Sequence, residues 1–183
     1  MSLARRAFLR ASGATLLAGV VPGFAMASTL PRSPTRRLSF ENIHTGEHLA
    51  LDYCVDGKLE PQALNAINHV LRDYRNGEVH AMDTRLLDLL SDVHAKLETD
   101  AAFQVISGYR SPATNAMLHE RSNGVANKSL HMQGMAIDIR LPGRPLETLH
   151  QAALSLGEGG VGIYPSSNFV HVDVGRVRRW NGI

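Results

Sequence analysis

Apolar and polar residues alternate over residues 38–40 and 49–55, with Leu38, Phe40, Leu49, Leu51, Tyr53 and Val55 at every second place. That period predicts half-buried strands. His44-Thr45-Gly46 between them can turn, so the two are expected to pair as a hairpin. Pro61 suits the first position of a helix, and Leu64, Ile67, Leu71 and Tyr74 follow at helical spacing. A second helix is predicted over 84–97, with Asp83 or Thr84 as cap and Leu86, Leu90, Val93 and Leu97 inward. Residues 103–106 read as a strand ending at Ser107-Gly108-Tyr109-Arg110, and Ser111-Pro112 opens a third helix reaching Arg121. In the strand predicted over 135–141, Ile137, Ile139 and Leu141 share one face, and Asp138 points to the other. A fourth helix over 146–156 and strands over 161–164 and 169–174, joined by a turn at 164–168, complete the body. The sum predicts an α+β domain with helices packed on a mostly antiparallel sheet.

The start of the chain follows a different pattern. Arg5 and Arg6 precede Phe8-Leu9, which resembles a twin-arginine export signal. An apolar run over 11–21 stops at Pro22, short of the about 20 residues that span a bilayer. Ala25-Met26-Ala27 is a small-x-small cleavage pattern. The expected organisation is a signal over 1–27, a flexible leader over 28–37 and one domain over 38–183, periplasmic and with no transmembrane span once the signal is removed.

Charge and cysteine count narrow the chemistry. The formal charge of +2 includes Arg5, Arg6 and Arg10. Without them, 16 basic residues face 17 acidic ones. A nearly neutral body offers no field for a phosphate backbone, so nucleic acid is not an expected partner. Cys54 is the single cysteine, which excludes an intrachain disulfide and any zinc site built mainly of thiolates. It reads as a small buried hydrophobe. Any metal must therefore be held by histidine and carboxylate.

In Val170-His171-Val172-Asp173-Val174 the valines share one face, and His171 and Asp173 the other. His131 lies seven residues before Asp138, across Gly134. Two strands that keep their apolar faces on the core can bring His131, Asp138 and His171 together. Two imidazoles and a carboxylate suit zinc with a fourth position left for water. An arginine partner or plain exposure accounts equally well for Asp138, and a hydrogen-bonded surface or core role for the histidines. His44, in a turn, is placed where it could reach such a site. His48, His69, His80, His94, His119 and His150 read as surface residues.

Three blocks occur in a recognisable order: Ser107-Gly108-Tyr109-Arg110-Ser111, residues 129–138 (SLHMQGMAID) and Phe169-Val170-His171-Val172-Asp173. Together they resemble the D-Ala-D-Ala metallopeptidases, which share a fold with lysostaphin and hedgehog domains. Within that group the similarity is greatest to the MepK-type murein endopeptidases, and it runs from about Leu38 to Trp180. The resemblance implies one zinc ion held by His131, Asp138 and His171, with Arg110 facing the scissile peptide and Ser129 and Tyr109 against substrate. It implies hydrolysis of peptide cross-links in peptidoglycan, whose stems carry D-centres, diaminopimelate and free carboxylates. A non-catalytic wall-binding module and a D,D- or L,D-carboxypeptidase are the alternatives on the same fold. One departure concerns the general base. Relatives place a glutamate three residues, or a histidine two residues, before the last ligand, where this chain has Asn168 and Phe169. Asp173, on the ligand face, is the remaining choice of base, with a structural carboxylate as its other reading.

Overall fold

The alternation at the start of the domain folds into the expected hairpin. Strand β1 (Arg36–Asn42) pairs antiparallel with β2 (His48–Val55), setting Leu38 against Leu51 and Phe40 against Leu49. Asn42 makes the turn: its Oδ1 accepts the N–H groups of His44 and Thr45. The computed structural model describes residues 32–121 and 126–182. The export signal and residues 28–31 of the expected leader lie outside them. The end of that leader is structured, since β1 starts at Arg36 and the Arg32 guanidinium meets Asp92 at 2.8 Å and Glu158 at 2.8 Å.

A short strand β3 (Lys58–Leu59) extends the hairpin through Cys54, which is fully buried. Helix α1 (Pro61–Val70) begins at Pro61 but stops before Tyr74, contrary to the helical spacing. Its continuation fails because the Leu71 carbonyl is taken by the N–H of Tyr109 at 2.8 Å, a tertiary contact that turns the chain away. Helix α2 (Thr84–Lys96) starts as expected, the Asp83 side chain accepting the Arg85 N–H at 2.9 Å, and buries Leu86, Leu90 and Val93 completely.

Strand β4 (Phe103–Ser107) then runs parallel to β1. After it come α3 (Pro112–Arg121), β5 (Ala136–Arg140), α4 (Leu146–Leu156), β6 (Gly160–Tyr164), β7 (Phe169–Asp173) and β8 (Arg178–Asn181). The sheet order is β3-β2-β1-β4-β5-β7-β6-β8. Only the β1–β4 and β6–β8 neighbours are parallel, so the sheet is mostly antiparallel as predicted. Helices α2 and α4 pack on each other and against the sheet, α2 on β1 and α4 on β6 and β7.

Ile137, Ile139, Val170 and Val172 are fully buried in the resulting core. Each such side chain stabilises the fold by roughly 1.5–3 kcal/mol. That is what fixes β5 and β7 with their polar side chains on the other face. Two histidines expected at the surface are instead inside: His94 at 6% exposure, stacked on Phe103, and His150 at 9%. Among the described residues, no helix is long and apolar enough to cross a membrane.

Candidate metal centre

Strand register assembles the site. Asp138 on β5 pairs directly with His171 on β7 and, across its other edge, with Ser107 at the end of β4. His131 arrives from a 3-10 turn (Leu130–Gln133) capped by Ser129, whose Oγ accepts the His131 N–H at 3.3 Å. Gly134 ends that turn at φ 66°, and a Cβ there would strike the Ala81 carbonyl. Only glycine combines that left-handed backbone with so close an approach. The Gly134 carbonyl also accepts the Asp83 N–H at 2.9 Å, fastening the turn to the start of α2.

His131 and Asp138 are 3% and 6% exposed. The Asp138 carboxylate lies 2.8 Å from His171 Nδ1 and 3.4 Å from His131 Nε2, and those two ring nitrogens are 3.3 Å apart. The outer nitrogens have partners too. His131 Nδ1 is 2.7 Å from the Gly108 carbonyl, and His171 Nε2 is 3.0 Å from Asp173 Oδ2. A carbonyl and a carboxylate can only accept, so both outer nitrogens carry the protons and donate. With both rings neutral, the inner nitrogens then present lone pairs to each other beside a carboxylate. Three electron-rich groups buried at this range call for a cation between them, a proton or a metal ion. The N, N, O donor set with both imidazoles held from outside fits zinc.

The local charges say the same. Burial alone would lower the His171 pKa, but hydrogen bonds with Asp138 and Asp173 outweigh it and hold the ring up to about 9. Burial would raise the Asp138 carboxyl, yet His131 and His171 keep it well below the usual carboxylate range.

Arg110 stands at the rim. Its Nη2 is 3.7 Å from Asp138 Oδ2 and donates to Ser107 Oγ at 3.3 Å, while Nη1 donates to Asn115 Oδ1 at 3.4 Å. Its Nε is buried and finds no partner among the described residues. Burial pushes this guanidinium's pKa down, with Asp138 pulling against it. Tyr109 is 4% exposed, its ring stacked on His80 at 4.7 Å and its hydroxyl donating to Glu78 at 2.6 Å. His44 stays outside the ligand set, with Nε2 at the Ile106 carbonyl.

Asp173 does not suit the base role expected of it. It is fully buried. Its Oδ1 accepts from the Gly160 and Gly175 N–H groups and Arg178 Nη1, and its Oδ2 from Arg178 Nη2 and His171 Nε2. Burial raises its pKa, but those hydrogen bonds prevail and bring it to about 2. Such a group holds His171 in place and has neither the affinity for a proton nor the access to water that a base needs.

Two further residues shape the centre. Trp180 on β8 lies over Gly162, where a Cβ would meet the indole, and its ring is 5.2 Å from that of His171. Its Nε1 donates to the Tyr164 hydroxyl at 2.9 Å. Asp73 is 1% exposed and accepts the Ser111 N–H and hydroxyl at 2.9 and 2.7 Å, fixing the turn that follows Arg110. The signal for Asp73 was a carboxylate between Leu71 and Tyr74 at the end of the apolar helical spacing; for Trp180 it was the chain's only tryptophan.

The buried His-Asp-His set on a mostly antiparallel sheet, with an arginine at its rim, marks a metallopeptidase. The chain belongs to the family described as peptidoglycan L,D-endopeptidase MepK, whose profile matches residues 31–180. It is 40% identical over 180 residues to the probable peptidoglycan L,D-endopeptidase MepK of Haemophilus influenzae, covering 98% of this chain and 96% of that protein. It is 42% identical over 176 residues to the peptidoglycan L,D-endopeptidase MepK of Escherichia coli K12, covering 96% of each.

Proposed function

We propose that this protein is a zinc-dependent murein endopeptidase that hydrolyses peptide cross-links of the cell wall, the L,D-bonds named for its relatives. The observation that carries the reading is the pair of inner lone pairs and the Asp138 carboxylate converging on one point, both rings tied from outside.

His131, Asp138 and His171 would hold the metal. Bound there, zinc supplies an acidified water and a positive charge for the carbonyl oxygen. Gly108 and Asp173 keep the two imidazoles in the tautomer that aims a lone pair inward. Arg110, its guanidinium 3.7 Å from Asp138, sets a positive charge beside the carbonyl oxygen as negative charge grows on it. Ser129, which caps the turn carrying His131, and Tyr109, next to Arg110 in the chain, would meet the stem peptide. Trp180 covers the His171 side and limits entry of water. A wall substrate supports a periplasmic location, with residues 1–27 read as the twin-arginine signal; cell fractionation showing the protein only in the cytoplasm would remove this part.

The test is digestion of purified L,D- and D,D-cross-linked muropeptides, followed by chromatography. Zinc-loaded wild type is expected to cut the L,D-linked substrate. His131→Ala is expected to lose both zinc, by elemental analysis, and cleavage. An unchanged product profile with wild type would make the protein a binding module.

A further inference from the structure

A second cationic group stands beside Arg110 with no assigned role. Residues 71–83 connect α1 to α2, and within them Asp73 joins two loops. Its Oδ1 accepts the N–H of Arg75 at 3.1 Å, and its Oδ2 accepts the N–H and hydroxyl of Ser111, the residue after Arg110. One buried carboxylate thus holds the backbones that carry Arg75 and Arg110. The Arg75 guanidinium lies over the Tyr74 ring at 4.3 Å. Tyr74 is itself stacked on His44 at 3.8 Å and 12°. His44 is anchored twice, its N–H on Asn42 Oδ1 at 3.0 Å and its Nε2 at the Ile106 carbonyl at 3.0 Å, one residue before Ser107.

The platform is therefore built from three elements and ends in an exposed arginine. Among the described residues, no carboxylate pairs with the Arg75 side chain. Asp73 is already committed to backbone and hydroxyl donors, and Glu78 to Tyr109. The N–H groups of Arg75 and Ser111 share the Asp73 carboxylate, so the loop that carries Arg75 lies against the loop that carries Arg110. A peptide stem carries free carboxylates on either side of the bond to be cut. A guanidinium braced on an aromatic ring keeps its fork of donors ordered for such a group.

We propose that Arg75, braced on Tyr74, is a carboxylate clamp beside the loop that carries Arg110, binding a free carboxylate of the peptide stem while Arg110 serves the scissile bond. The proposal rests on the endopeptidase reading and adds to it the residue that selects for substrate charge.

The experiment compares two cross-linked muropeptides, one with its stem carboxylates free and one with them amidated, on zinc-loaded wild type, Arg75→Ala and Arg75→Lys. Wild type is expected to prefer the free acid. Arg75→Ala should raise KM for the free acid about fivefold more than for the amide, an effect of exposed ion-pair size. Arg75→Lys should recover part of that difference, having the charge without the fork. Equal losses on both substrates, or no loss on either, would overturn the clamp. Should wild type cut neither substrate, the endopeptidase reading falls separately. The same two muropeptides titrated calorimetrically then decide the clamp: a free-acid preference that Arg75→Ala abolishes sustains it, and no preference overturns it.

Discussion

At the residue scale, the decisive contact is the one behind the metal ligand. His171 donates to Asp173, and Asp173 is gripped by both arms of Arg178 at 3.0 and 2.6 Å. Removing Arg178 leaves a buried carboxylate with its largest compensating charge gone, free to turn away from His171. Arg178→Ala is therefore expected to weaken zinc binding roughly 10–100-fold, the size usual for partners that orient a metal ligand. Asp173→Asn should do the same. Competition with a chromophoric chelator reads the affinity directly, and wild-type affinity in both variants would make the network purely structural. The alternation of Val170, His171, Val172 and Asp173 made the shared face of His171 and Asp173 legible in the sequence. The sequence left Asp173 open between base and structural carboxylate, and the choice was not legible, because it depends on Arg178, which folds back from a strand that no local pattern announces.

At the element scale, the sequence was read well wherever one face of an element meets the core. Helices α2, α3 and α4 and strands β4 to β7 lie where apolar spacing put them, within a residue or two at the ends. The misses are elements whose existence depends on distant partners. Strand β8 (Arg-Arg-Trp-Asn) has no apolar alternation and forms because it lies parallel to β6, with Trp180 opposite Gly162. Helix α1 ends early because the Leu71 carbonyl is claimed from Tyr109, 38 residues on by the sequence numbering. The 3-10 turn that delivers His131 depends on Gly134, and this can be tested. Gly134→Ala combines a left-handed backbone with a collision at the Ala81 carbonyl and should cost roughly 2–4 kcal/mol. Gly143→Ala has a similar φ of 79° but nothing near its Cβ, so it should cost only the backbone part, roughly 1–2 kcal/mol. Urea midpoints compared at constant slope separate the two contributions. Equal costs would show that the turn gives way and that its tight packing is not needed.

At the scale of the whole molecule, stability carries a pH dependence that the metal centre does not dictate. His94 on α2 meets Phe103 of β4, its ring flat against the phenyl at 4.0 Å and 3°. Its Nε2 is buried without a partner among the described residues. Burial lowers its pKa to about 4, with the Ala101 backbone hydrogen bond and the charge of Asp100 only partly opposing. In the unfolded chain the ring titrates near the ordinary value of about 6.5. Above that pH neither state binds the proton, and the contribution to stability is complete. As pH falls from about 6.5 to about 4, the unfolded chain takes up a proton that the native state refuses, so stability drops, by up to about 3 kcal/mol. His94→Leu keeps an apolar ring neighbour and removes the titration. It is expected to be less stable than wild type at pH 7, where the stacked imidazole fits best, and to close that gap or reverse it by pH 4.5. Both proteins are compared with zinc chelated, so that the acid response of the metal-ligand cluster is common to each and cancels in the difference. A gap that stays constant across this range would mean that the packed structure around Phe103 opens enough to hydrate the imidazolium. Acid loss would then belong to the metal-ligand cluster, and the core beneath α2 would be a softer part of the fold than its burial implies.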